Sequence, residues 1–209
     1  MIQKLKLDPE YVLDRFIPFL KRWGFSIICI PFCWILLEQF WMALKWDISF
    51  SWRYPYPFFL SPFFFVVDNF LLIIHEAGHT IFGLFGYRFL AILGGTLMEI
   101  LLPFLIFVYG WYNRNNFTAQ LGLLLTAFAW IESAAYAADA LFRRMPLIGN
   151  LPKSAHDFYN MFTQLDILGS HMTVAWIFYI IGCLTILLFI FYPLFERKKY
   201  EYVDLNLKL

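Results

Sequence analysis

Charged side chains are scarce in this chain. Of its 209 residues only 15% are Asp, Glu, Lys or Arg, against roughly a quarter in ordinary soluble domains. With 61% hydrophobic residues and a mean hydropathy of +0.65, the shortage excludes a solvated globular surface. A formal net charge of +1 argues against a nucleic-acid surface. Cysteine is nearly absent. Cys29, Cys33 and Cys183 all fall in apolar segments, read as small buried hydrophobes, and offer no disulfide framework. The first residues are polar and lack a short apolar core with a small-residue cleavage site, so no removable signal peptide is expected.

What the chain has in abundance is long apolar runs rich in phenylalanine, 26 in all. A membrane helix needs roughly 20 apolar residues. Runs of that kind lie at about Gly24 to Leu44, Pro62 to Gly86, Leu90 to Trp111, Ala119 to Phe142 and Met172 to Phe191. The expectation is an all-α, polytopic integral membrane helix bundle of about five transmembrane helices, within bounds of four to six. Tyr11, Val12, Phe16, Phe19 and Leu20 recur at helical spacing among charged residues, so residues 1–22 read as an amphipathic interfacial segment. Residues 23–195 then form the transmembrane core and 196–209 a polar tail. Residues 45–56 resemble an interfacial aromatic loop. Lys4, Lys6, Arg15, Lys21 and Arg22 place the N-terminal side in the cytoplasm. Five spans put Arg197-Lys198-Lys199 on the opposite side, against the same rule, and 57–72 is where a sixth span or a missing one would hide.

His75-Glu76-Ala77-Gly78-His79 stands inside the second apolar run. Residues four apart share a helix face, so His75 and His79 can grip one zinc ion while Glu76 reaches the attacking water. Only four histidines and seven glutamates occur in the whole chain, and each one placed in a span costs a few kcal/mol. The cluster is therefore a functional candidate, with Glu76 as catalytic base and Zn²⁺ as cofactor. Gly78, followed by Gly83 and Gly86, would leave a notch for close helix packing or for an extended substrate.

A catalytic zinc usually takes three protein ligands and keeps one open position. Glu99, Glu132, Asp139, His156, Asp157, Asp166 and His171 are the candidates for the third. His156 is the expected ligand, with Asp157 as the alternative, because Pro146, Gly149 and Pro152 let the chain fold back before them. Glu132, Tyr136 and Asp139 share one face of the fourth span, and Asp68 lies two turns before His75. Together with Glu99 these residues are candidates to support the ligands or line a water path, or to serve only as interhelical glue. Glu38 reads as structural, His171 as interfacial and Asp166 as solvated.

The runs HEAGHTIFGLFG, LGGTLMEILLP, ADA, MPLIGN and HDFYN resemble the site-2 protease class of intramembrane zinc metalloproteases, in a bacterial branch with the pattern HEAGH…LGGT…ADA…HD. The resemblance covers roughly Phe70 to Leu168. It implies zinc on His75 and His79, Glu76 as base and a third ligand from a downstream segment. Where that class carries Asn-Pro…Leu-Asp-Gly, this chain has Gln164-Leu165-Asp166-Ile167, and His156-Asp157 is read as the replacement. The implied activity is hydrolysis of peptide bonds in membrane or membrane-adjacent protein segments, in a bacterial inner (plasma) membrane. Lipid and a membrane-protein or peptide substrate are the expected partners, with further membrane proteins selecting substrates. The alternatives are a non-proteolytic transporter or scaffold subunit with a structural metal, and a di-iron desaturase, for which four histidines are too few.

Overall fold

The computed structural model describes residues 9–44 and 60–195, and within them the chain is helical with no strand. The order is α1 (Pro9–Leu44), α2 (Ser61–Gly83), α3 (Arg88–Tyr112), α4 (Asn116–Ala138), α5 (Asp157–Gln164) and α6 (His171–Phe191). All but α5 are long and apolar enough to cross a membrane. The protein is an all-α, multi-pass membrane bundle.

The element boundaries follow local chemistry. Pro62 opens α2, in the first turn, where a missing N–H costs nothing. Gly86 adopts φ +75° in the short turn before α3, a conformation glycine takes without penalty. Asn115 caps α4 by accepting the Thr118 N–H at 3.2 Å. Turns this short make α2, α3 and α4 antiparallel neighbours. The C-terminal half of α2, the start of α3 and the end of α4 therefore meet at one end of the bundle.

One expected boundary falls inside a helix and another shifts. Residues 9–22 form the first part of α1, continuous with the first span, with Pro18 and Pro31 inside the helix. Residues 1–8, the 45–56 loop, the start of 57–72 and the 196–209 tail lie outside the described residues. The fourth span stops at Ala138 rather than Phe142, because Asp139 turns the chain. Its carboxylate accepts the Arg144 N–H at 2.9 Å and the Met145 N–H at 2.8 Å, and Arg143 sits at φ 52°.

α4 is the hub. Its apolar window is 83% buried, against 28–33% for the other four spans. It packs on α6, α3 and α1, while α2 packs on α3. Phe64 of α2 meets Phe128 of α4 at 5.5 Å between ring centroids, and both are fully buried. Phe40 of α1 stacks on Tyr179 of α6 at 4.2 Å. Polar groups in the bundle are tied together, as a low-dielectric interior demands. Gln120 Nε2 donates to Ser26 Oγ, which donates to the Phe189 carbonyl. Trp34 Nε1 donates to Glu38 at 2.8 Å, which gives that carboxylate its structural role. Outward positions such as Val66, Ile73, Leu101 and Leu184 are apolar and exposed, as a lipid-facing surface must be. Cys29 and Cys33 are buried and Cys183 is half-buried, all of them free thiols.

Candidate metal centre

His75 and His79 sit one turn apart on the face of α2 that meets α3. Their rings lie 4.7 Å apart between centroids. Asp157, the first residue of α5, comes back to them from the long connection. Asp157 Oδ2 stands 3.1 Å from His75 Nε2 and 3.3 Å from His79 Nε2. Ligand atoms of the three residues all lie within 4.8 Å of one another, and no other group of this kind occurs among the described residues.

The far side of each ring is held. His79 Nδ1 lies 2.8 Å from the Ala91 carbonyl. A carbonyl only accepts, so the proton of the neutral ring is on Nδ1 and the lone pair is on Nε2. His75 Nδ1 lies 2.8 Å from Glu99 Oε2 and is placed to donate to that carboxylate in the same way. Metal-ligating histidines are oriented by this kind of partner, which fixes the tautomer and aims the other nitrogen. Asp157 thus brings a carboxylate oxygen beside two imidazole nitrogens, a set suited to zinc among divalent ions.

The backbone leaves room for this pair by using glycine. A Cβ on Gly95 of α3 would stand 2.7 Å from His75 Nε2 and 2.6 Å from His79 Cε1. Gly95→Ala should therefore keep the helix content and lower metal affinity by roughly 10–100-fold, as disturbed ligand orientation does; metal titration beside circular dichroism checks it. The notch at Gly78 is not open to substrate. α3 fills it, and a Cβ there would collide with the Gly94 carbonyl and with Met98.

The structure brings Asp157, not His156, to the histidine pair. His156 is fully buried and points the other way. Its Nδ1 accepts the Tyr159 N–H at 3.3 Å, capping α5, and its Nε2 is 3.6 Å from Asp139 Oδ2. Adjacent residues at a helix start face apart, so only one of the two can reach the metal side. Among the other candidates, Glu99 orients His75 and Tyr136 holds Asp157. The Tyr136 hydroxyl accepts the Asp157 N–H at 3.1 Å and lies 3.5 Å from Oδ2, while its ring rests on His156 at 4.1 Å. Tyr136→Phe should lower metal affinity by about tenfold or more, since it frees the ligand loop; competition with a chromogenic chelator reads the change. Asp139 stays away from the metal side and fixes the loop that carries Asp157. His171, the first residue of α6, is buried, with Nδ1 on the Leu168 carbonyl. Asp166 is exposed at φ 56°.

A cavity of about 520 Å³ opens onto the cluster, and Glu76, Asp68, Glu132, Ser133 and Tyr136 line it beside the ligand residues. Glu76 is half-buried, and its carboxylate has no hydrogen-bond or ion-pair partner among the described residues. Pro146, Leu147, Ile148 and Leu151 of the connection form the opposite, apolar wall. Three features lay outside sequence reasoning: the Ala91 carbonyl, the clearance at Gly95 and the buried Ser133. Of these, only Gly95 is visible in the sequence, as part of the Gly94-Gly95 pair in LGGTLMEILLP.

Fold and site together define a multi-pass α-helical membrane protein with a two-histidine, one-aspartate cluster fit to hold a metal ion. Comparison with protein-family models, with curated proteins and with solved structures yields no match.

Proposed function

We propose that this protein is a membrane-embedded zinc metallopeptidase of the site-2 protease kind, acting on peptide bonds of membrane or membrane-adjacent segments. The observation that carries the reading is the convergence of His75, His79 and Asp157 beside an unengaged Glu76 in one cavity. Three protein ligands facing a cavity match a catalytic zinc site, whereas structural zinc sites close with four. That feature favours an enzyme over a scaffold with a structural metal. His156 and His171 are engaged elsewhere, so a di-iron desaturase lacks its ligands.

A zinc ion bound there supplies Lewis acidity, polarising the scissile carbonyl and acidifying water near neutral pH. The chain does the rest. Glu76 takes the proton of the attacking water as the new C–O bond forms, holds it on its carboxyl, and delivers it to the amine nitrogen as the C–N bond breaks. His75 and His79 keep their Nε2 lone pairs aimed at the metal because Glu99 and Ala91 hold Nδ1. Tyr136 keeps Asp157 in register. The apolar wall from the connection limits water and favours an apolar stretch of substrate. Lipid surrounds the bundle, partner membrane proteins select substrates, and a bacterial inner membrane is the proposed location.

Metal analysis of full-length protein purified in detergent tests the reading. About one zinc per chain is expected, lost in His75→Ala with helicity kept. Metal-free wild-type protein that refuses added zinc overturns it.

A further inference from the structure

Beyond the metal cluster, the same cavity carries a second group of polar residues that hydrolysis does not use. Asp68 of α2 and Glu132 of α4 line it together with Glu99 of α3, which holds His75. Ser133, only 3% exposed, lines the cavity beside them. Its Oγ and Asp68 Oδ1 are both buried with no hydrogen-bond partner among the described residues. Among the described residues, the cavity lining contains no lysine or arginine.

Buried carboxylates and hydroxyls need partners, and leaving them without costs several kcal/mol. Carboxyl groups gathered in one cavity hold either a shared proton or a cation. Asp68, Glu132 and Glu99 do not converge into a metal-ligand set, which among the described residues only His75, His79 and Asp157 form. The complement is a cation that spans a longer reach through several N–H donors, with Ser133 Oγ as one more acceptor.

We propose that Asp68, Glu132 and Ser133 form a subsite for a protonated amine or guanidinium, the side chain of a substrate lysine or arginine. The proposal rests on reading the cavity as a peptidase site. Asp68 precedes His75 by two helical turns, about 10 Å along the axis. An extended peptide covers that distance in about three residues, so the basic residue belongs within about three positions of the scissile bond.

Direct binding tests the subsite without requiring turnover. Benzamidine is the cationic probe and benzamide its near-isosteric neutral control, titrated calorimetrically into zinc-loaded full-length protein in detergent. Benzamidine should bind at least tenfold more tightly than benzamide. Asp68→Asn and Glu132→Gln, each checked for zinc content and helicity, should bring the two probes to within about twofold. Ser133→Ala, a milder change, should weaken benzamidine alone. Equal binding of both probes to the wild type, or unchanged preference in both carboxyl variants, overturns the proposal and makes the carboxyls a proton-sharing structural pair. Peptides carrying lysine or norleucine near the bond separate this from the wider reading. Cleavage with no preference for lysine sinks the subsite and leaves the peptidase standing. Charge-selective probe binding without any cleavage sinks the peptidase and leaves the subsite.

Discussion

Replacing Glu76 by Gln should leave the protein folded and loaded with metal, yet lower peptide cleavage by about a hundred- to ten-thousand-fold, the range that positioned proton transfer contributes. The amide keeps the size of the side chain but cannot take a proton from water. Glu76 is not one of the three clustered ligands, and its carboxylate has no partner to lose among the described residues, so the fold has little reason to respond. The measurement is cleavage by membranes or detergent-purified protein beside zinc content of the same sample. Metal retained with cleavage lost assigns Glu76 to the proton transfer. Equal loss of both would make it a structural residue.

The second large effect separates two neighbours. Asp157→Ala should reduce bound metal to about a tenth or less of the wild-type value, because two histidines alone leave the set incomplete. His156→Asn should keep near-normal metal. Asparagine still offers an N-cap acceptor to α5, and the ring it replaces faces Asp139 and Tyr136 instead of the cluster. Some stability will be lost, since His156 is fully buried, so thermal unfolding should fall in His156→Asn while metal content holds. The reverse pattern, with metal lost in His156→Asn and kept in Asp157→Ala, would contradict the geometry.

That pair of residues also marks how far the sequence reaches. Five apolar runs of membrane length are legible because bilayer thickness dictates them, and the structure has five such helices. The helical spacing of His75 and His79 is legible because the periodicity of an α-helix is fixed. That the 156–157 region returns to α2 was inferable from Pro146, Gly149 and Pro152. Which of the two side chains faces the metal was not. The answer depends on His156 serving as the α5 cap, and that in turn depends on where Tyr136 places its hydroxyl. Orientation at a helix start is a tertiary outcome, set by a residue some twenty positions away.

The same holds for the supporting residues. Asp68, Glu99, Glu132, Tyr136 and Asp139 stand out as rare polar groups in apolar spans, so the sequence finds them together. It cannot sort them. Glu99 meets His75 through the α2–α3 packing that Gly78 and Gly95 permit, while Asp139, on the same face of α4 as Glu132, is spent on the turn that ends the helix. Residues 9–22 and the first span share one unbroken helix for a simpler reason. A change from mixed to apolar composition alters what surrounds a helix without breaking its backbone, and neither Pro18 nor Pro31 ends α1.

Cleavage of a membrane-anchored reporter by the full-length protein, reconstituted in lipid vesicles and assayed before and after metal removal, decides between a metallopeptidase and a non-proteolytic protein. A membrane-permeant chelator should abolish cleavage, added zinc should restore it, and Asp157→Ala should be inactive with or without zinc. Cleavage that survives complete metal removal, or that Asp157→Ala supports at the wild-type rate, would contradict the proposed function.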